Sequence, residues 1–144
     1  MATAESLTGG RLAAAFTAVP GSSACFVGGV VAYATAVKVS VLGVSPTIIE
    51  EYGAVSAECA AAMATGARAV LGATYALATT GVAGPDRQEG HPAGHVWIAC
   101  AGPEGVETKL LSLDGDREAV QTASCGGAMS VLDGMLRRED SGLG

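Results

Sequence analysis

Apolar and polar positions along the chain switch repeatedly between a helical and a strand-like rhythm. Met1 to Ala4 reads as the end of a short strand, and Glu5 to Val19 as an Ala-rich helix with Leu12, Ala15 and Phe16 on one face, closed by Pro20-Gly21. Cys25 to Ala34 is a near-continuous apolar run containing two glycines, which predicts a strand buried on both faces. Ser45 then caps, and Pro46 opens, a short helix through Glu51 that stops at Gly53. Ser56 caps another helix from Ala57 to about Leu71, with Glu58 in its first turn, Arg68 in its last and Gly72 as its stop. Thr74 to Thr80 predicts a strand, and Gly81 to Gly94 a loop punctuated by glycine and proline. Gly94 to Ala101 and Val106 to Leu113 predict a hairpin around Gly102-Pro103-Glu104-Gly105. A closing helix from Asp116 to Arg138 is acidic where it starts and basic where it ends. Gly126-Gly127 predicts a kink or a close helix contact within it, and residues 139–144 read as a flexible tail.

Helices alternating with strands, plus one hairpin, predict an α/β fold: a three-layer α/β/α sandwich on a mixed, mostly parallel sheet, as one domain over residues 1–138. Ligands of such open sheets bind where loops leave the carboxyl ends of strands. Three loops qualify: those beginning near Ala4, after Tyr33 and after Thr80.

Composition narrows the functions open to this fold. Hydrophobic residues make up 49% and charged ones 15%, and the abundance of alanine predicts closely packed helices. No apolar run reaches the roughly 18 to 20 residues that cross a bilayer, and the start lacks the basic and apolar regions of a signal peptide. A cytoplasmic protein without a membrane partner is expected. Cys25, Cys59, Cys100 and Cys125 form no C-x-x-C pair, so they read as reduced packing thiols rather than zinc ligands or disulfides. A net charge of -6 with eight Lys plus Arg argues against nucleic acid as a partner. A small anionic ligand stays open, because one phosphate needs only a helix N-terminus and an Arg.

The stretch from Thr3 to Gly10 places the Ser6 hydroxyl at a strand-to-helix junction, where N–H groups converge and can hold a phosphate or an oxyanion. On spacing alone Ser6 is more simply the helix N-cap. Lys38 is the one Lys or Arg between Arg11 and Arg68. Partly desolvated after a buried strand, it could act as a general base on a serine; a solvated lysine on an amphipathic turn is the plainer reading. Tyr33 is core or wall in either case, and its hydroxyl could join a proton relay. Thr79 to Asp86 forms a second glycine-bearing loop leaving a strand, and Arg117, opening the last helix after Gly115-Asp116, could reach a phosphate. His91 and His95 lack a third ligand, so no metal is expected there.

Taken together, TAESLTGG (3–10), PGSSACFVGGVVAYATAVKVSVLGV (20–44), GAVSAECAAAMATGAR (53–68), TTGVAGPD (79–86), AGHVWIA (93–99) and GDREAV (115–120) resemble the CinA C-terminal domain family, the nicotinamide mononucleotide (NMN) deamidases, in order and spacing. The resemblance implies hydrolysis of the NMN carboxamide to nicotinate mononucleotide and ammonia, a salvage step in pyridine nucleotide metabolism, with no metal or other cofactor. It implies Ser6 as nucleophile, Lys38 as the assisting base and Tyr33 as the neighbouring aromatic residue. Helix-start N–H groups near Thr8, Gly9 and Gly10 are then expected to hold the oxyanion, and Arg117 with Thr80, Gly81 and Gly84 the phosphate and ribose.

Where the family commonly reads Tyr-x-Asn-Glu-Ala-Lys, this chain has Thr35 and Ala36 in place of the amide and carboxylate. Leu7 replaces a usual cysteine, Asp86-Arg87-Gln88 replaces a glycine-rich stretch, and His91 stands where a lysine is frequent. These changes leave a hydrogen bond near the site and the substrate preference open. The family's helix before TAES is also absent here, which predicts a homo-oligomer whose partner covers the uncovered face. Two other readings stay open: a noncatalytic nucleotide-binding or competence- and damage-related interaction module, and an amidase for another small carboxamide.

Overall fold

The computed structural model describes residues 1–142. In chain order the elements are β1 (Ala2–Glu5), α1 (Arg11–Thr17), a 3-10 turn (Ser22–Ala24), β2 (Gly28–Val31), α2 (Thr35–Ser40), α3 (Pro46–Tyr52), α4 (Ala57–Leu71), β3 (Ala76–Gly81), β4 (His95–Gly102), β5 (Gly105–Ser112) and α5 (Arg117–Gly142). The five strands form one sheet in the order β2-β1-β3-β4-β5. β1 pairs in parallel with both β2 and β3, so that Glu5 lies between Val31 and Thr79. β4 is antiparallel to β3 and to β5 and runs against all the others. The fold is the mixed α/β sandwich that the alternation of elements predicts.

Period-two alternation in the central strands feeds two cores. On one face the alanines Ala2, Ala4, Ala76, Ala78, Ala99 and Ala101 meet Cys59, Ala60, Met63, Ala64 and Ala67 of α4. On the other face Leu77, Val96, Ile98 and Cys100 meet Leu12 of α1 and Val120, Ala128, Leu132 and Met135 of α5. Small side chains on the first face bring α4 close to the strands, while the bulkier second face fills the space beneath two helices. α3 and α4 begin where their serines require: Ser45 Oγ accepts from Thr47 N at 3.3 Å and Ser56 Oγ from Cys59 N at 3.1 Å. Gly72 ends α4 in the left-handed conformation at φ 62°. Among the described residues no helix is long and apolar enough to cross a membrane.

Four local expectations change. The run from Cys25 to Ala34 is not a doubly buried strand: only Gly28–Val31 is strand, it lies at the sheet edge, and Val27 and Val31 are exposed. α1 begins at Arg11 rather than Glu5, because Ser6 to Gly10 turns first and Gly10 takes φ 101° as the N-cap. α2 is a short helix that the pattern did not predict. α5 runs on through Gly142, four residues past Arg138 into the stretch read as a tail; residues 143 and 144 lie outside the described residues. Its Gly127 makes the close contact expected of the glycine pair, but with a strand: an added Cβ there would be 2.5 Å from Leu111 Cδ1 of β5.

Candidate active site

β1 and β2 are parallel neighbours, yet β1 leads to α1 on one face of the sheet and β2 leads through α2 and α3 to α4 on the other. Divergent connections of this kind open a crevice at the carboxyl ends of the strands. The three loops singled out by sequence meet there, around a cavity of about 360 Å³ that also takes in the turn before α4 and the start of α5.

Ser6 is the first residue beyond β1, and Lys38 projects from α2 towards it, so that Lys38 Nζ lies 2.8 Å from Ser6 Oγ. Lys38 is only 2% exposed and Ser6 8%. Nζ also donates to Ala32 O at 2.8 Å and, more weakly, to Tyr33 O at 3.3 Å, the two carbonyls that follow β2. Burial lowers the Lys38 pKa from its ordinary value, with Cys59 and Glu89 opposing that shift from a distance. A neutral lysine carries two N–H bonds and one lone pair. In the neutral form, which burial favours, N–H bonds directed at the two carbonyls would leave the lone pair facing the serine hydroxyl.

Ser6 does not cap α1, which frees its hydroxyl for this contact. The cap comes from Glu5, whose buried carboxylate accepts from Leu12 N at 2.7 Å and Ala13 N at 3.1 Å. Thr8 Oγ1 adds a bond to Glu5 at 2.6 Å and pairs with Thr79 Oγ1 at 2.8 Å, while Thr79 O accepts from Ser6 N at 3.0 Å. This network sets Thr8, Gly9 and Gly10 back from the cavity wall. Thr8 is fully buried beneath the site, Gly9 N is spent on Ser6 O at 3.1 Å, and none of the three lines the cavity. Glu5, which sequence reasoning passed over, is the residue that fixes the serine loop on α1. Its position five residues before Gly10, outside the helix it caps, gave no signal of a cap.

Thr80, Gly81, Gly84 and Arg117 do line the cavity. Thr80 Oγ1 donates to Ala54 O at 2.7 Å and ties β3 to the turn before α4. Arg117 joins two walls, donating to Gly84 O at 2.6 Å and to the Tyr33 hydroxyl at 3.0 Å. Tyr33 is 61% exposed and thus not core, and its hydroxyl faces Arg117 instead of joining a relay with Ser6 and Lys38. What Tyr33 gives the lysine is its carbonyl. Val82, Asp86, Arg87 and Gln88 line the cavity with the loop expected there, while Ala54 and Val55 on the facing wall were not foreseen, because their place depends on a turn and a loop meeting across the crevice. His91 and His95 stack with centroids 4.2 Å apart, and among the described residues no group of three His, Cys, Asp or Glu is placed to hold a metal ion.

The model of the CinA C-terminal domain matches residues 1–136. The chain belongs to the CinA C-terminal domain family. Among its CinA relatives, a CinA-like protein of Frankia casuarinae is 52% identical over 99% of this chain, which spans 32% of that protein's length. Nicotinamide-nucleotide amidohydrolase PncC of Pseudomonas putida is 46% identical over 94% of this chain and 83% of its own. The fold agrees with the crystal structure of the competence damage-inducible protein A of Klebsiella pneumoniae, at TM-score 0.92 and 39% identity over 94% of this chain and 85% of that one. Within this CinA domain, Thr35 and Ala36 fall on the first turn of α2, one turn or less before Lys38, and Thr35 still lines the cavity.

Proposed function

We propose that this chain is an amidohydrolase that converts nicotinamide mononucleotide to nicotinate mononucleotide and ammonia, with Ser6 as nucleophile and Lys38 as base. The 2.8 Å contact between a buried, charge-disfavoured amine and a serine hydroxyl carries the proposal, because a lysine without a carboxylate partner is costly to bury and has an evident use here. The relationship to the Pseudomonas putida PncC supplies the substrate class.

Lys38 takes the Ser6 proton as Oγ attacks the carboxamide carbon, giving a tetrahedral intermediate and a lysine ammonium. The ammonium returns the proton to the departing nitrogen, ammonia leaves, and an acyl-serine remains. Water then attacks the ester with Lys38 again accepting the proton, the lysine ammonium reprotonates the departing serine, and the carboxylic acid left behind gives its proton to solvent or to the released ammonia as the carboxylate forms. The Gly9, Leu12 and Ala13 N–H groups are engaged; of Leu7, Thr8 and Gly10, whose N–H groups make no backbone hydrogen bond among the described residues, Leu7 is the one that lines the cavity, and its N–H is the one assigned to the oxyanion. Arg117, Thr80 and Gly84 would face the ribose and phosphate. A cytoplasmic, homo-oligomeric protein belongs to the same proposal.

Ammonia release from NMN by the purified protein tests it, with nicotinamide and glutamine as control substrates. Release from NMN alone is expected, reduced by about two to four orders of magnitude in both Ser6→Ala and Lys38→Ala. Turnover that survives Lys38→Ala would overturn the base assignment. A folded wild-type protein that binds NMN without releasing ammonia would point instead to a noncatalytic nucleotide-binding module.

A further inference from the structure

The charge of the cavity is opposite to that of the molecule. The chain carries 14 acidic residues against eight Lys plus Arg, yet Arg87 and Arg117 both line the crevice, beside the buried Lys38 amine, and Asp86 is the one carboxylate among its lining residues. Of the basic groups there, Lys38 and Arg117 have much of their hydrogen-bonding capacity committed. Lys38 is enclosed by Ser6 Oγ and two carbonyls, and Arg117 already holds Gly84 O and the Tyr33 hydroxyl. Arg87 is exposed and makes one long bond, 3.2 Å from Nη1 to Gly90 O. Most of its five donors are thus available to an anion in the cavity.

The loop carrying Arg87 is held in an unusual conformation. Gln88 and His91 exchange backbone bonds of 3.1 and 2.9 Å around Glu89 and Gly90, at φ 52° and 78°. Positive φ at both central positions makes a tight hairpin turn, which a non-glycine residue adopts only against its preference. Glu89 is kept there by its carboxylate, which accepts from Ala54 N and Val55 N at 3.0 Å each on the opposite wall. The clamp fixes the backbone two residues beyond Arg87, on the cavity wall, and leaves a largely uncommitted guanidinium whose planar fork suits two-point recognition of phosphate.

We propose that Arg87 is a specificity-determining residue, the guanidinium that with Arg117 makes this site prefer a phosphorylated carboxamide to its unphosphorylated nucleoside. This rests on the amidohydrolase reading for its kinetic test, and a binding test separates the two. With nicotinamide mononucleotide and nicotinamide riboside as paired substrates, Arg87→Ala lowers the nucleotide-over-nucleoside ratio of kcat/KM about ten- to hundredfold, with the loss in KM, and Arg87→Lys recovers part of it. Arg137→Ala, which removes the same charge from an exposed site near the far end of α5, retains the ratio. Calorimetric affinities of the same two compounds for wild type and Arg87→Ala follow the same pattern even if no ammonia is released, so that loss of the catalytic reading leaves this proposal testable. An unchanged ratio in Arg87→Ala, an equal loss in Arg137→Ala, or failure of the wild type to bind the nucleotide more tightly than the nucleoside would each overturn it.

Discussion

Glu5 shows how much a single side chain beside Ser6 decides. Its carboxylate gathers three donors in a place almost without solvent, Leu12 N, Ala13 N and Thr8 Oγ1, and through Thr8 it reaches Thr79, whose carbonyl holds Ser6 N. Removing a buried acceptor leaves its donors unsatisfied, at a cost of about 1 to 3 kcal/mol for each. Glu5→Ala is therefore expected to lower the urea midpoint strongly, whereas Glu5→Gln, which keeps one oxygen, loses less. Equal midpoints for the two variants would mean that the carboxylate does not cap α1. From residue types alone, Ser6 reads as a helix cap and Lys38 as a solvated lysine, and it was the resemblance of the surrounding motifs that reversed both. The physical reason is that neither the late start of α1 nor the existence of α2 can be read from periodicity. One is set by a side chain outside the helix, and the other is too short to repeat. The burial of the Thr8 hydroxyl was illegible for a related reason, since a hydroxyl in a glycine-rich turn gives no sign of whether it faces ligand or core.

Elements with their own end signals were the most legible. α3, α4 and the β4–β5 hairpin carry a capping serine, a stopping glycine or a turn sequence, and they form close to where those residues place them. β2 lacks such a signal. Valine and glycine content identifies a strand but does not tell how many neighbours it has, and so an edge strand passed for a central one. The glycine pair of α5 separates the cost of flexibility from the need for room. Nothing lies within 4 Å of a Cβ added at Gly126, while one added at Gly127 meets Leu111 Cδ1 at 2.5 Å. Gly126→Ala should then raise stability by up to about 1 kcal/mol through helix propensity alone, and Gly127→Ala should gain less or lose, because Leu111 must move. Thermal unfolding of the two variants checks this, and a larger gain at Gly127 would contradict the packing of α5 on β5.

Across the whole molecule, the buried amine makes stability depend on pH in a direction the fold dictates. Lys38 has a lowered pKa when folded and its ordinary value, near 10.5, when unfolded. Between the two the unfolded chain binds the extra proton, so stability rises with pH through that window and is lower by a constant amount below it. Cys59, Cys100 and Cys125 act in the opposite sense, because burial holds each thiol at about 11 against an ordinary 9.0. Their contribution is intact below about pH 9 and is lost as pH rises towards 11. The wild type should therefore gain stability as pH rises through the Lys38 window below 10.5, with the cysteines opposing the gain above about pH 9. Lys38→Met removes the first limb and leaves the second. Urea denaturation of both proteins at several pH values is expected to give a difference that favours the variant most at low pH and shrinks as the lysine becomes neutral in both states. A difference that does not change with pH would mean that Lys38 is charged in the folded protein, and the lone pair assigned to Ser6 would then not exist.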